Sequence, residues 1–207
     1  LALGALGVTI IYAVLRFSNF AHGELMSFGA MISILFTWLG QSYGVTFYFL
    51  PTAILFLPFA VIFCVVYCLL LDKFVFSFYR KKRADPIITL IASIGVMFLT
   101  AGLIRFIIGP GDQSFNDGMR FIFSVKDFKN MTGLEQGFGV KTTQALTIGI
   151  SLALSISLLW FLNSTKMGKS MRAFSDNEEL ALLSGIDPNR VVFMTWVIAG
   201  TLATFAG

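Results

Sequence analysis

With 207 residues, of which 57% are hydrophobic, 15% aromatic and only 13% charged, the chain lies far from soluble globular domains, where about 25% of residues are charged. Its net charge of +4 is gathered in clusters, which suits the loops of a membrane protein and not a nucleic-acid-binding face. So apolar a composition requires lipid as its solvent.

The first apolar run, Leu1 to Leu15, is shorter than the roughly 20 residues of a spanning helix. The chain begins inside this run and stops at Gly207 inside another, so it reads as a fragment of a longer membrane protein, truncated at both ends. Between the first two runs stands NFAHGEL, residues 19 to 25, with Arg16 just upstream. Asn19 is a good helix N-cap, and Glu24 near the positive end of the next helix is favourable against its dipole. One reading is therefore capping with an interfacial Arg16–Glu24 charge balance. The other is a working site, because ionisable groups at membrane depth are expensive and persist mostly along transport routes. On that reading Asn19, His22, Gly23 and Glu24 line the substrate pathway, and Gly23 and Gly29 let a neighbour approach the backbone. His22 is the only histidine, so no metal site is expected.

The second run spans about Phe20 to Leu39 and the third about Val45 to Leu71, the latter bent at Pro51 and Pro58. Cys64 and Cys68, one turn apart, read as packing or lipid-facing thiols. DKFVFSFYRKKRADP, residues 72 to 86, reads as a loop. Lys73, Arg80, Lys81, Lys82 and Arg83 against Asp72 and Asp85 put it in the cytoplasm. A fourth helix runs from Ile87 to Ile108, with Arg105 snorkelling from its last turn. The loop 109–143 balances its charges and suits the outer side; FIFSV at 121–125 has the composition of a short hairpin. A fifth helix covers Gln144 to Leu162, and a sixth starts near Val191.

The cytoplasmic loop 164–190 carries its own signal. Ser175 and Glu178 form an S-x-x-E capping box, Glu178 and Glu179 favour a first turn, Gly185 supplies a left-handed stop and Pro188 prevents continuation. The expected helix, residues 176 to 184, contains Leu180, Ala181, Leu182 and Leu183. It is too apolar to face water alone, so it reads as a docking surface.

Glu179-Leu180-Ala181, three residues, then Gly185 resembles the E-A-A-x-x-x-G loop of ABC-importer permeases, with Leu180 where that superfamily often has alanine. NFAHGEL with SFGAM, GPGDQSF after the fourth helix, and KMGKSMRAFSDNEELALLSGIDPNRVVFMTWVIAGTLATFAG are similar to signatures of the branched-chain amino-acid permeases. The resemblance covers nearly the whole chain. It implies an all-α, polytopic bundle of about six visible transmembrane helices, one permease domain over residues 1–207, in the bacterial inner membrane. It implies a transport subunit without cofactor, moving branched-chain amino acids, with urea or another amide as the alternative solute. The coupling helix, with Ser175, Glu178, Glu179, Ala181 and Gly185, would dock on an ABC ATPase subunit. A second, related permease and a periplasmic substrate-binding protein would complete the importer. The chain has no G-x-x-x-x-G-K-[ST] nucleotide loop of its own. Two other classes compete: an intramembrane enzyme using His22 and Glu24 as an acid/base pair, which lacks a nucleophile motif, and a channel, which needs no docking helix.

Overall fold

In a computed structural model of the protein, residues 1–44, 52–111, 113, 121–123 and 140–207 are described. In chain order the helices are α1 (Ala2–Leu15), α2 (His22–Ser42), α3 (Thr52–Leu71), α4 (Ser77–Lys81) and α5 (Pro86–Ile108). Strands β1 (Phe121–Phe123) and β2 (Val140–Lys141) pair antiparallel. They are followed by α6 (Thr142–Ser164), α7 (Lys166–Asp176), α8 (Glu178–Leu183) and α9 (Pro188–Ala206). Among the described residues five helices are long and apolar enough to cross a membrane, and α1 is a shorter apolar helix beside them. The protein is thus an all-α, multi-pass membrane protein. The pairing at Phe121 fits the strand-like composition of FIFSV, although its last two residues, and Pro51, lie outside the described residues.

The loop expected over 72–86 is largely helix. The chain passes from α3 through a wider turn at Asp72–Phe76 into α4, making one helical span over Ala53–Lys81. Charge density misleads here because Asp72 does not face lipid alone. Both its carboxylate oxygens accept from Arg80, at 2.8 and 3.1 Å, and Oδ1 also accepts from Trp196 Nε1 at 2.7 Å. The true turn is Lys82–Asp85, after which Asp85 caps α5 through Ile87 N–H and Pro86 occupies its first position. Asp72→Ala strands Arg80 and the indole N–H together. With Arg80 partly exposed, the expected loss is about 2 kcal/mol, read as a lower unfolding midpoint of the purified protein. Asp72→Asn keeps an acceptor for Trp196 and is expected to lose about half as much.

α2 and α9 form the centre. A Cβ built at Gly29 would lie 2.7 Å from Thr204 Cα, and one at Gly200 would lie 3.2 Å from Val65 Cα, so α2, α9 and α3 approach almost backbone to backbone. Cys64 and Cys68 are fully buried in this seam with Trp196, Ala199 and Ala203, which makes them packing thiols. Conversely α3, α5 and α6 turn Phe59, Ile62, Ile91, Phe98, Ile148 and Ile156 outward, as lipid-facing helices do.

Candidate functional site

The NFAHGEL segment is held inside the bundle and is not a surface connection. α1 ends at Leu15 because Arg16 turns left-handed, with φ 59°, and returns its N–H to Tyr12. Arg16 then donates to the Ser175 carbonyl at the end of α7 and not to Glu24, so the expected Arg16–Glu24 charge balance is not formed. Phe17 is buried and stacks on Phe76 at 5.1 Å, which stacks on Trp196 at 5.2 Å. This aromatic column turns the chain back into the bundle. Phe20 N–H then donates to Ser93 Oγ at 3.1 Å, seven residues into α5 and so about 10 Å from its start. His22 packs on Gly7, eight residues and about 12 Å above the end of α1. The N-terminus of α2, with its unpaired amides and positive dipole end, therefore opens at depth.

Asn19 is not the helix cap proper. α2 starts at His22 with Ala21 at the cap position, and Asn19 Oδ1 accepts from Ala21 N–H at 3.1 Å in the turn before it. Asn19 is 4% exposed and His22 1% exposed, yet Asn19 Nδ2 has no hydrogen-bond partner, and the His22 ring has only the Gly4 backbone nearby, short of good hydrogen-bond geometry. A buried polar atom without a partner costs about 1–3 kcal/mol, so an unpaired amide and a poorly bonded imidazole at one helix start are a concentrated expense. Gly7 makes the histidine possible: a Cβ there would sit 2.5 Å from Nε2. Glu24 is half-buried in the first turn of α2 and makes no ion pair. No protein atom lies within 4 Å of the Gly23 Cβ position, whereas Gly29 carries a close helix approach. Among the described residues no group of three or more His, Cys, Asp or Glu could hold a metal ion.

The second candidate region is corrected in its details. Ser175 and Glu178 do not form a capping box. Ser175 belongs to α7, and its hydroxyl donates to the Ala13 carbonyl of α1 at 3.0 Å. Asn177 caps α8 instead, Oδ1 accepting from Leu180 N–H at 3.1 Å, so the helix spans Glu178–Leu183 and not 176–184. Its end is as the sequence implies. Gly185 has φ +80°, its N–H reaches Leu182 O, and Ile186 N–H reaches Ala181 O, the paired bonds of a Schellman stop. Pro188 does more than block continuation: it is the first residue of α9, capped by Asp187, so the sixth span starts three residues before Val191.

Ala181 is buried against the bundle, while Leu180, Leu182 and Leu183 are 61%, 44% and 84% exposed. Glu178 and Glu179 stand in the first turn of α8. The preceding helix α7 escaped the sequence reading. Its signal was Thr165, which caps through Gly168 N–H, followed by Met171 and Phe174 on one buried face. Ser93, Gly7 and Trp196 were missed as well, since their importance comes from residues far away in sequence.

A family model described as "Branched-chain amino acid transport system / permease component" matches residues 1–207. Among curated proteins, the "High-affinity branched-chain amino acid transport system permease protein LivH" of Salmonella typhimurium is 26% identical over 100% of this chain and 64% of its own length. The "Probable branched-chain amino acid transport permease protein LivH" of Methanocaldococcus jannaschii is 28% identical over 100% of this chain and 61% of its own. The BraD permease protein of Pseudomonas aeruginosa, named for the same kind of transport system, is 24% identical over 99% of this chain and 64% of its own. The chain thus spans less than two thirds of the length of these relatives. No solved structure matches it.

Proposed function

This chain belongs to the family of branched-chain amino acid transport system permease components, and from that premise we propose that it is the membrane-spanning subunit of an ABC importer for branched-chain amino acids in the bacterial inner membrane. The observation that carries the reading is α8. It is a short, doubly capped helix that buries Ala181 and leaves three leucines uncovered, at the end of the bundle where the RKKR stretch also lies. An isolated helix of six residues has no stability of its own, so its shape is held for an interaction. That end faces the cytoplasm, and the ABC ATPase subunit receives the leucine face.

The energy source is on that partner chain. Nucleotide binding and hydrolysis there move α8, and the bonds from Arg16 and Ser175 to neighbouring elements pass the movement to α1 and so to NFAHGEL. Asn19, His22 and Glu24 border the solute pathway at the start of α2, with Gly23 on its open side. The unpaired donors of Asn19 and the α2 amides suit a solute carboxylate. A second, related permease completes the pore against the uncovered apolar faces, with lipid around it, and a periplasmic protein delivers the solute.

The test is uptake into proteoliposomes by the full-length protein with its partner subunits, using a panel of leucine, isoleucine, valine, alanine and urea. Leucine, isoleucine and valine are expected to accumulate only with ATP. Entry without ATP that stops at equilibration would make the protein a channel, and accumulation of urea alone would replace the solute.

A further inference from the structure

At the RKKR end of the bundle a cavity of about 430 Å³ opens between the end of α1, the α4–α5 turn and α8. Its wall contains opposite charges: Arg16 and Arg83 on the bundle, Glu178 and Glu179 on α8, with Leu15 and Phe17 supplying apolar surface. These charges do not pair with one another. Arg83, Glu178 and Glu179 make no side-chain hydrogen bond or ion pair among the described residues, and Arg16 reaches only a backbone carbonyl. A third lining arginine, Arg80, is committed to Asp72.

Arg16 and Arg83 share a second property. Among the described residues they are the non-glycine residues with positive φ, at 59° and 48°. Such backbone is uncommon for a side chain of this size, and here both residues line one cavity.

The chemistry of the wall selects the ligand. A phosphate would meet two carboxylates, and an amine would meet two guanidiniums. A ligand carrying a carboxylate beside an ammonium satisfies both, and planar guanidinium forks suit carboxylates. The apolar patch excludes a strongly polar side chain. We infer that this cavity binds a zwitterionic aliphatic amino acid, its carboxylate on Arg16 and Arg83, its ammonium on Glu178 and Glu179, and its side chain against Leu15 and Phe17. The inference rests on the transport reading only for the arrival of such a solute at this face. An occupied cavity ties the first turn of α8 to the bundle, so solute accumulated on this side restrains the docking helix.

Equilibrium dialysis of labelled L-leucine against the purified full-length complex, without the substrate-binding protein, tests this directly. Saturable binding is expected, weakened about tenfold in Arg83→Gln and less in Arg83→Lys, which keeps the charge and loses the fork. 4-Methylpentanoate, lacking the ammonium, and 3-methylbutylamine, lacking the carboxylate, are expected to compete at least about tenfold more weakly than leucine. No saturable binding, binding indifferent to Arg83→Gln, or equal competition by either analogue would overturn the inference. ATP-driven uptake, measured in parallel, separates the two readings. Uptake with binding indifferent to Arg83 rejects the cavity and keeps the transporter, whereas Arg83-dependent binding without uptake does the reverse.

Discussion

Gly185→Val is expected to reduce solute uptake by at least about tenfold while leaving the protein in the membrane at its normal amount. At φ +80° a β-branched side chain is strained by about 1–3 kcal/mol. The helix it terminates has six residues and cannot absorb that strain by itself. Each 1.4 kcal/mol or so shifts a two-state equilibrium tenfold, so the strain suffices to make the docked shape of α8 a minority state. The spans are untouched, because nothing lies within 4 Å of the Gly185 Cβ position. A cysteine at Leu183, whose side chain is among the most exposed on α8, should cross-link to the ATPase subunit in the parent and poorly in Gly185→Val. Asn tolerates the left-handed region, so uptake should rank Gly, then Asn, then Ala, then Val. Normal uptake by Gly185→Val would mean that this helix stop has no part in coupling.

The second large effect is expected from His22→Leu, which separates a pathway residue from a packing one. Most substitutions at a buried site damage folding and function together. Here the native ring is buried with at best a weak bond to the Gly4 backbone, so an apolar replacement of similar volume removes most of a cost. The unfolding midpoint is expected to stay level or rise, while uptake falls at least about tenfold. Asn19→Ala is a poorer probe, since it also removes the acceptor for Ala21 N–H and costs about 1 kcal/mol of local stability. Parent-level uptake in His22→Leu would reduce the histidine to a filler beside Gly7 and remove the pathway assignment from it.

The sequence by itself determined the spans, the class and the local punctuation. Lipid imposes a length and an apolarity on each helix, so the spans α2, α3, α5, α6 and α9 are legible as runs of composition, with boundaries shifted by a few residues except after α3, where the span continues past Leu71 to Lys81. The stop at Gly185 is equally local, because its hydrogen bonds close within a few residues. The motifs that carry the family resemblance are contiguous too, and the match over residues 1–207 agrees with them.

Only the tertiary structure decided what depends on distant partners. The sequence points to Ser175 as the cap, and Asn177 takes its place because Ser175 is bound to Ala13 and Arg16, more than 150 positions away. Asp72 looked like the start of a loop until Trp196, 124 residues distant, supplied an indole N–H and Arg80 returned along the same helix. The depth of NFAHGEL was set likewise by Ser93 on α5 and Gly7 on α1, neither of which announces itself. A polar side chain in an apolar chain reads as surface unless something inside the bundle meets it, and helix packing alone supplies that partner or, at His22, withholds it.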